Sequence, residues 1–476
     1  MKRIIVIRLL IILAVAITAS LLILEHHLTR QPERHIEKPQ LSNDSAKTLP
    51  PPKKPSSLPK VEITDYPFPK GFMWGVAISA FQNEGGNGKT DWDEWPEYKA
   101  STPRHPGFDE NDITLTDTLG IKYIRFSIEW ARIEPEENVW DEQELKRYVG
   151  LARVMQKKNI QPFVNLYHFS LPAWVAHKGG WANDSISYWF NRYTAKVAKA
   201  FRPLKIKWWM TMNEPTVVIM QGYFNGTWPP EKERATGLLR PVQRNLMRAH
   251  RLTYHTLHSI LDRKKSKISV GVAYLDQSSM PKNPEDILDR ETADAYDLVM
   301  NTFIDGTEDE MDYVGLNYYN IEVTSVNRFK LISPLFFGLP VEFSERTKPY
   351  PRGIYERIRK LRAHRKPIIV TENGIDDGTD SKRPSFIVRH LYWVHRATLD
   401  PENTIVPVIG YFHWTLVDNA EWGRHEPSHF GLVDVNSETK ERTPRPSALL
   451  YREIIRSNSL TEAMVEQYIN KDKSRE

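Results

Sequence analysis

Two short glutamate motifs stand out in the sequence, each directly after an apolar run that is typical of a buried β-strand. Residues 211–215 read Thr-Met-Asn-Glu-Pro, so Glu214 falls where the first run ends. Residues 371–374 read Thr-Glu-Asn-Gly, which places Glu372 in the same way after the second run. Two carboxyl groups at the mouths of two strands suit glycosidic bond cleavage with retention, because one can protonate the leaving oxygen while the other attacks the sugar carbon. Either motif alone is weak evidence for such a site. The interpretation requires that the surrounding strands and helices bring both glutamates together.

The composition is that of an ordinary globular protein, and it excludes several function classes. Residues 1–65 hold ten Lys and Arg against six Asp and Glu, so of the net charge of +5 only +1 belongs to residues 66–476. A globular part with so small a net charge lacks the strongly basic character that is typical of nucleic-acid-binding proteins, so nucleic acid is not expected as a partner. The chain has no cysteine, which rules out a disulfide framework and a thiolate metal site.

The first 24 residues predict a transmembrane signal-anchor. Lys2 and Arg3 precede the run 4–24, which only three polar residues interrupt, and a bilayer core needs about 20 apolar residues in a helix. The basic residues would hold the N-terminus in the cytoplasm, so the rest of a single-pass protein would be extracytoplasmic. The alternative is a signal peptide whose cleavage releases a secreted protein. The apolar part of such peptides is usually ~7–15 residues, and the one Ala-x-Ala sequence, 14–16, lies in the middle of the run.

The rest of the chain divides into three parts. Residues 25–65 contain seven prolines among Lys, Ser and Glu with no apolar periodicity, which predicts a disordered spacer. Residues 66–460 are rich in aromatic residues and predict one catalytic domain. Residues 461–476 are interpreted as a C-terminal tail.

The catalytic region predicts an α/β fold, a (β/α)₈ TIM barrel with elaborated βα loops. Helical patterns such as 142–158, 187–201 and 242–261 separate strand-like runs that are often apolar throughout, as expected for strands buried on both faces of a parallel sheet. A doubly wound open sheet is the competing fold, but no Gly-rich phosphate turn follows the first run. Eight runs are predicted as strands: 72–78, 123–128, 161–168, 208–214, 268–275, 313–319, 368–373 and 408–416.

A barrel gathers its functional groups at the carboxyl ends of its strands. Taken alone, Arg125 suits a strand-end salt bridge, His168 a structural histidine and Trp414 a core residue. Together, the polar and aromatic residues at these ends form the mixture that carbohydrate sites need, with directional hydrogen bonds for hydroxyls and flat apolar faces for C–H groups. The residues at or near the strand ends are Gln82, Arg125, His168, Asn213, Glu214, Asn317, Tyr319, Glu372 and Trp414.

On these residues the chain resembles family 1 glycoside hydrolases, the β-glucosidase and β-glycosidase family, over roughly residues 66–460. The run 445–451 is most similar to archaeal-type members. The matching strings occur in the family's order: FPKGFMWG at 68–75, RFSIEW at 125–130, His168 ahead of Leu171 and Pro172, NEP at 213–215, GLNYY at 315–319, TENG at 371–374, and Trp414 to Trp422 with Asp418, Asn419 and Glu421.

The resemblance implies a role for each carboxylate. Glu372 would be the nucleophile, which Arg125 and the Tyr319 hydroxyl would stabilise in its charged form. Glu214 would be the acid and later the base, with its pKa raised by the nearby Glu372. Asn213 would bind the 2-hydroxyl of the sugar.

The same resemblance implies the substrate-binding residues and the expected ligand. Trp414 would form an apolar platform under the sugar, and the substrate would be a small-molecule or oligosaccharide β-glycoside. No cofactor is expected. No metal is expected either, because His425 and His429 lack a clear third ligand. The other residues that would bind sugar hydroxyls are Gln82, His168, Asn317, Glu421 and Trp422.

The chain departs from many relatives around the pocket. His425 and Glu426 stand where Gly and an aromatic residue are common, His429 replaces an Arg, and Ala420 replaces an aromatic residue. These changes leave the sugar and the aglycone open. The Ser/Lys/Tyr pattern of 6-phospho-β-glycosidases is absent, which disfavours a phosphorylated sugar, and the presence of Glu214 excludes the thioglucosidase pattern.

Three functions remain to be compared. The first is a retaining exo-β-glycosidase that is β-glucosidase-like and works by double displacement through a covalent glycosyl-enzyme. The second is a membrane-tethered retaining transglycosylase, which would pass the sugar to a glycolipid or another acceptor. The third is a non-catalytic carbohydrate-binding receptor, which the presence of both glutamates disfavours.

Overall fold

The computed structural model describes nine stretches of the chain: residues 65–100, 105–232, 235–262, 267–275, 279–326, 341–345, 349–423, 428–436 and 438–470. The predicted anchor and all but the last residue of the predicted spacer lie outside these stretches. None of the helices within them is both long enough and apolar enough to cross a membrane. The predicted limits of the catalytic domain stay predictions.

Eight parallel strands close into a barrel in which each strand pairs with the next along the chain and the last pairs with the first. Each of the eight predicted strands overlaps one barrel strand, so the predicted fold is confirmed. The strands are β1 Met73–Ala77, β2 Tyr123–Ser127, β3 Gln161–Asn165, β4 Trp208–Asn213, β5 Ser269–Leu275, β6 Tyr313–Asn317, β7 Ile368–Asn373 and β8 Val408–Trp414.

One longer helix follows each strand and returns the chain to the amino end of the barrel. Several begin with a carboxylate cap that satisfies free backbone N–H groups: Asp109 caps the first, Asp141 the second and Asp286 the fifth. The helices are α1 Glu110–Thr118, α2 Glu142–Lys157, α3 Ile186–Phe201, α4 Thr236–Leu261, α5 Ile287–Asp305, α6 Pro351–Leu361, α7 Arg383–Thr398 and α8 Pro446–Ser457.

The βα loops on the carboxyl side are elaborated, as predicted. They contain the short helices Ala80–Glu84, Asp91–Glu94, Pro96–Ala100, Trp130–Ile133, Ala173–His177, Gly180–Ala182, Pro215–Ile219 and Met220–Asn225. They also contain the strands Ser279–Pro281, Glu322–Val326, Val341–Glu345, Val433–Val435 and Arg442–Pro444.

Short elements also close the amino end of the barrel. The strand Asp65–Pro67 pairs antiparallel with Ser459–Thr461, which follows α8. Residues 462–470 are helical, in the two segments Glu462–Val465 and Glu466–Asn470. The remaining single turns are Arg202–Leu204, Glu308–Glu310, Arg362–His364 and Pro401–Thr404.

Large and small residues alternate inside the barrel, which explains how eight strands close around a solid core. Tyr313 donates a 2.7 Å hydrogen bond from its hydroxyl to the Trp209 carbonyl across the interior. Gly75 faces Phe412, and Gly271 faces Tyr313, at distances that leave no room for a Cβ atom. The inward residues Met73, Phe163, Met210, Ala273, Tyr313, Ile369 and Phe412 form one buried cluster, as expected for the packed interior of this fold.

We predict that Gly374→Ala disturbs the end of the barrel where β7 and β8 meet. A Cβ atom at Gly374 would overlap the carbonyl oxygen of Trp414, and overpacking of this kind costs about 1–3 kcal/mol of unfolding free energy. A lower thermal midpoint is expected. Gly150→Ala in α2 is the control, because its Cβ meets no atom within 4 Å, and it should stabilise by roughly 0.5–1 kcal/mol. Equal midpoints for the two variants would contradict the close approach.

Candidate active site

The parallel strands place all the predicted catalytic residues at one end of the barrel. Arg125 lies within β2, Asn213 ends β4 and Glu214 follows it, and Glu372 lies within β7. Tyr319 lies two residues beyond the end of β6. We call this carboxyl end, where these side chains converge, the mouth of the barrel.

Two donors hold the Glu372 carboxylate. Arg125 donates from Nη1 to Oε1 of Glu372, and the Tyr319 hydroxyl donates to Oε2 at 2.6 Å. The guanidinium is fully buried and Glu372 is 3% exposed, so water scarcely screens their attraction. The carboxyl group is therefore fixed in place and polarised as a base or nucleophile would be.

Glu214 has the opposite environment. Burial and the nearby charge of Glu372 raise its pKa to about 8, against the opposing effects of Asn317 and Arg125. Asn317 donates from Nδ2 to Glu214 Oε1. The backbone of Glu214 is left-handed, with φ 44° and ψ 59°, a conformation that costs a non-glycine residue about 1–3 kcal/mol. A strained, buried carboxyl group that keeps its proton at neutral pH suits a general acid.

Asn213 connects the two carboxyl groups. Its Oδ1 accepts from Arg125 Nη2 at 2.5 Å and from Asn317 Nδ2 at 3.1 Å. Its amide nitrogen must then face His168, whose Nε2 lies 3.3 Å away. Burial, followed by the charge of Arg125, lowers the pKa of His168 well below its usual value. The imidazole is therefore neutral and can accept at Nε2.

Two residues that the sequence analysis missed support this network. Thr371 donates from Oγ1 to Asn317 Oδ1 at 2.7 Å, which orients the amide that contacts Glu214. Asn165 lies 3.3 Å from His168 Nδ1, and its buried Oδ1 has no hydrogen-bond partner. The orientation of a side-chain amide is assigned from its hydrogen-bond network. With the amide of Asn165 rotated by 180°, its Oδ1 accepts from the Nδ1–H of His168. Their only signal in the sequence was a polar residue in an otherwise apolar run.

The predicted sugar-binding residues lie around the same mouth. Gln82 donates from Nε2 to the Ala420 carbonyl at 2.8 Å, which leaves its buried Oε1 without a partner. His168 stacks on Trp414, with ring centroids 5.6 Å apart, and on Trp422 at 6.0 Å. Glu421 is only partly buried, and its charge contributes to the raised pKa values of Glu214 and Tyr319.

Trp422 also belongs to an aromatic cluster beside the mouth. It stacks on Phe81 at 5.3 Å and meets Trp92 edge-on at 4.6 Å. Phe169 and Trp228 lie 5.2 Å and 6.1 Å from it. The indole is thus largely buried by its neighbours, as is common for tryptophan, and only a small part remains for a ligand.

An ion-pair network, rather than a cation site, surrounds His429. Its Nδ1 lies 3.0 Å from Asp418 Oδ2, and Asp434 is close by. Arg445 donates to both oxygens of Asp418, at 2.9 and 2.7 Å, and to Asp434 at 2.8 Å. The guanidinium supplies the positive charge that a metal ion would bring. His425 lies outside the described residues.

Comparison with known proteins decides the family. The sequence profile of glycosyl hydrolase family 1 matches residues 64–308 and 304–460. The chain belongs to this family. A 1,4-beta-D-glucan glucohydrolase of Thermotoga neapolitana is 30% identical over 456 residues, covering 83% of this chain and 99% of its own length. This family 1 chain is therefore an O-glycosyl hydrolase.

Two further relatives show how broad the family is. The solved beta-glycosidase from Pyrococcus horikoshii is 31% identical and superposes with a TM-score of 0.75, covering 85% of this chain and 98% of its own. The galactolipid galactosyltransferase SFR2 of Arabidopsis thaliana is 30% identical over 376 residues, which cover 74% of this glycosyl hydrolase and 58% of the plant protein.

We predict that Glu372→Gln lowers the pKa of Glu214 from about 8, because it removes the negative charge that disfavours ionisation. Glu421→Gln should lower it by less, since its charge has a smaller effect. Carboxyl ¹³C NMR of glutamate-labelled protein measures both, with Glu214→Gln assigning the resonance. An unchanged value in Glu372→Gln, or a larger change in Glu421→Gln, would contradict the coupling.

Proposed function

We propose that the protein is a retaining exo-β-glycosidase, β-glucosidase-like, that hydrolyses O-β-glycosidic bonds by double displacement. One observation supports this most: Arg125 and Tyr319 hold Glu372 as a carboxylate, while burial and Glu372 keep the proton on Glu214. A pair of carboxyl groups with opposite protonation states is what the first step of this mechanism needs.

In the first step, Glu372 attacks the anomeric carbon and the bond to the leaving oxygen breaks. Glu214 transfers its proton to that oxygen, so the aglycone leaves as an alcohol. The sugar is now esterified to Glu372, which has lost its negative charge. Because that charge contributed to the raised pKa of Glu214, the pKa falls and Glu214 stays ionised.

In the second step, the ionised Glu214 takes a proton from water. The resulting hydroxide-like oxygen attacks the anomeric carbon from the side that the aglycone left, and Glu372 departs as a carboxylate. Two inversions give net retention, and both glutamates regain their starting protonation states. Arg125 and Tyr319 stabilise the charge on Glu372 as it reappears.

The binding contacts proposed for the sugar follow from the free polar atoms at the mouth. Asn213, fixed by Arg125 and Asn317, is placed to bond the 2-hydroxyl next to the reacting carbon. The unpartnered Oε1 of Gln82 can accept from another hydroxyl. His168 and Glu421 border the same mouth, and Trp414 offers its indole face.

We also propose that the barrel is held outside the cytoplasm by a single-pass N-terminal anchor. The support is the sequence of residues 1–24. Cell fractionation of the full chain tests this: recovery in the membrane after an alkaline wash is expected. Recovery of a processed, freely soluble protein would favour the secreted alternative.

The transglycosylase alternative has one specific observation in its favour, the similarity to a plant galactolipid galactosyltransferase. Both functions share the covalent intermediate and differ only in the acceptor. Product analysis in the presence of galactolipid vesicles separates them. Release of free monosaccharide alone supports hydrolysis, and sugar transferred to lipid supports the alternative.

We predict that the full chain, in detergent, cleaves at least one of the chromogenic β-glucoside, β-galactoside, β-fucoside and β-mannoside. Glu372→Ala should abolish turnover, because no attacking group remains. Azide should restore it and give the α-glycosyl azide, since azide takes the place of the carboxylate. Product stereochemistry is read by NMR.

Glu129→Gln is the matched control for the loss of a buried carboxyl group at the same end of the barrel. Burial raises the pKa of Glu129 to about 8, so it is protonated at neutral pH and glutamine reproduces its hydrogen-bonding pattern with Ser170 and the Ala131 N–H. Near-normal activity is expected. A folded wild-type protein inert on all four substrates would refute the proposed function.

We predict a basic limb near pH 8 in the pH profile of kcat/KM for substrates with poor leaving groups. Glu214 must be protonated to act as the acid, so activity falls as the pH rises through its raised pKa. A dinitrophenyl glycoside needs no such proton and should lack the limb. Glu214→Ala should slow the cleavage of substrates with poor leaving groups by about 10²–10⁴-fold. The first step with the dinitrophenyl glycoside should be slowed far less. If activity on both substrates fell at the same pH, Glu214 could not be the acid responsible for the basic limb.

A further inference from the structure

The amide of Asn317 makes three hydrogen bonds inside the site. Asn317 ends β6 and is fully buried. Its Nδ2 donates to Asn213 Oδ1 at 3.1 Å and to Glu214 Oε1, and its Oδ1 accepts from Thr371 Oγ1 at 2.7 Å. An amide nitrogen has two hydrogens, so both are used and neither is free for a sugar hydroxyl. These contacts indicate a role that differs from the substrate contact that the family resemblance implies.

Arg125 sets the direction of these hydrogen bonds, because a guanidinium can donate but cannot accept. Its Nη2 lies 2.5 Å from one amide atom of Asn213, which must therefore be the oxygen. The same oxygen faces the amide of Asn317 at 3.1 Å, so the facing atom of Asn317 must be the nitrogen. The other amide atom of Asn317 is then the oxygen, and the hydroxyl of Thr371 must donate to it. The orientation of Asn317 thus follows from a group that can only donate.

Strand pairing holds both partners of the contact between Asn317 and Glu214. Asn317 is in register with Leu275 of β5 on one side and with Glu372 of β7 on the other. The backbone N–H of Glu214 donates to the carbonyl of Ala273, also on β5, at 2.9 Å. Because both residues are bound to the same strand, the amide is held against the carboxyl group.

The contact with Asn317 makes the two oxygens of the Glu214 carboxyl group unequal. In the protonated form one oxygen is a carbonyl, which accepts hydrogen bonds well, and the other carries the proton and donates it. Because Asn317 donates to Oε1, the proton is favoured on Oε2. Among the residues that the structure describes, none bonds to Oε2, and Glu214 is 6% exposed. Oε2 is therefore the oxygen that is available to a ligand.

We propose that Asn317 is a positioning residue that places the acid proton of Glu214 on Oε2, ready for the leaving oxygen, and that Thr371 holds Asn317 in this orientation. The inference rests on the proposed double displacement and deepens its first step. There the O–H bond at Oε2 breaks as the proton passes to the leaving oxygen, whose bond to the anomeric carbon breaks with the electron pair staying on the oxygen. The carboxylate that remains keeps the Asn317 hydrogen bond on Oε1, which stabilises its charge. In the second step water returns the proton.

The opposite orientation of the amide would be unproductive. With Asn317 rotated by 180°, its Oδ1 would face Glu214 Oε1 and would accept the acid proton there, which draws the proton away from Oε2. The same Oδ1 would face the oxygen of Asn213, where two acceptors repel each other. In the observed orientation the hydroxyl of Thr371 satisfies the buried Oδ1, and a buried acceptor without a partner is destabilising. Thr371 and Asn213 thus favour the same orientation.

Asn317→Leu separates this role from a sugar contact, because it removes the amide and keeps a similar volume. The full chain in detergent is assayed on two β-glycosides of one sugar, an alkyl glycoside and a dinitrophenyl glycoside. Only the alkyl leaving group needs the proton, so its kcat/KM should fall at least about tenfold more than that of the dinitrophenyl glycoside. A lost sugar contact would lower both values equally, since the sugar is the same, and equal losses would overturn the proposal.

Thr371→Val and Thr371→Ser test the second half of the proposal, and they carry the test if Asn317→Leu does not fold. Valine has nearly the shape of threonine without the hydroxyl, so the alkyl substrate should again lose more than the dinitrophenyl substrate. Serine keeps the hydroxyl and should restore the wild-type ratio of the two kcat/KM values. The control is Asn245→Leu, which removes a buried asparagine away from the site, where its Nδ2 donates to the Trp181 carbonyl at 3.0 Å. A wild-type ratio in Thr371→Val, or an equal shift of the ratio in Asn245→Leu, would overturn the proposal.

A titration that needs no turnover gives an independent result. Asn317 is one of the groups that oppose the raised pKa of Glu214, so in Asn317→Leu that pKa should rise further above about 8, as measured by carboxyl ¹³C NMR. An unchanged or lower pKa would show that Asn317 does not donate to Glu214 and would overturn the proposal. A wild-type protein that cleaves neither glycoside would count against the proposed function, whereas the titration would still decide whether the hydrogen bond exists.

Discussion

The buried contact between Arg125 and Glu372 is the interaction on which the rest of the active site depends. One guanidinium donates to the Glu372 carboxylate, to the Thr371 carbonyl and to Asn213, so it joins β2, β4 and β7 across the barrel. Both charges are buried, and removing one partner of such a pair typically costs about 3–5 kcal/mol because the other is left without compensation. A carboxylate buried this deeply is stable only beside a cation, so the site needs Arg125 in order to hold Glu372.

From this pair the protonation states of the whole site follow. The charge that Arg125 stabilises on Glu372 is, after burial, the largest cause of the raised pKa of Glu214. The oxygen of Asn213 accepts from Arg125 and Asn317, so its amide nitrogen faces His168, whose neutral imidazole accepts at Nε2. Arg125 thus fixes the carboxyl group whose charge helps to keep the proton on Glu214, and it sets the direction of the hydrogen bonds around Asn213.

Much of this could be predicted from the sequence, and the exceptions have physical reasons. The eight strands were recognisable because strands buried on both faces are apolar throughout. Their carboxyl ends were not recognisable: Leu166 and Tyr167 continue the third apolar run, yet β3 ends at Asn165, since these two residues still pack in the core after the strand has ended. Thr371 and Asn165 escaped notice because their partners, Asn317 and His168, are recognisable only once the register is known.

Other features depend on contacts between distant parts of the chain. Gln82 is oriented by the carbonyl of Ala420, 338 residues away, so sequence could suggest a sugar ligand there but not which atom remains free.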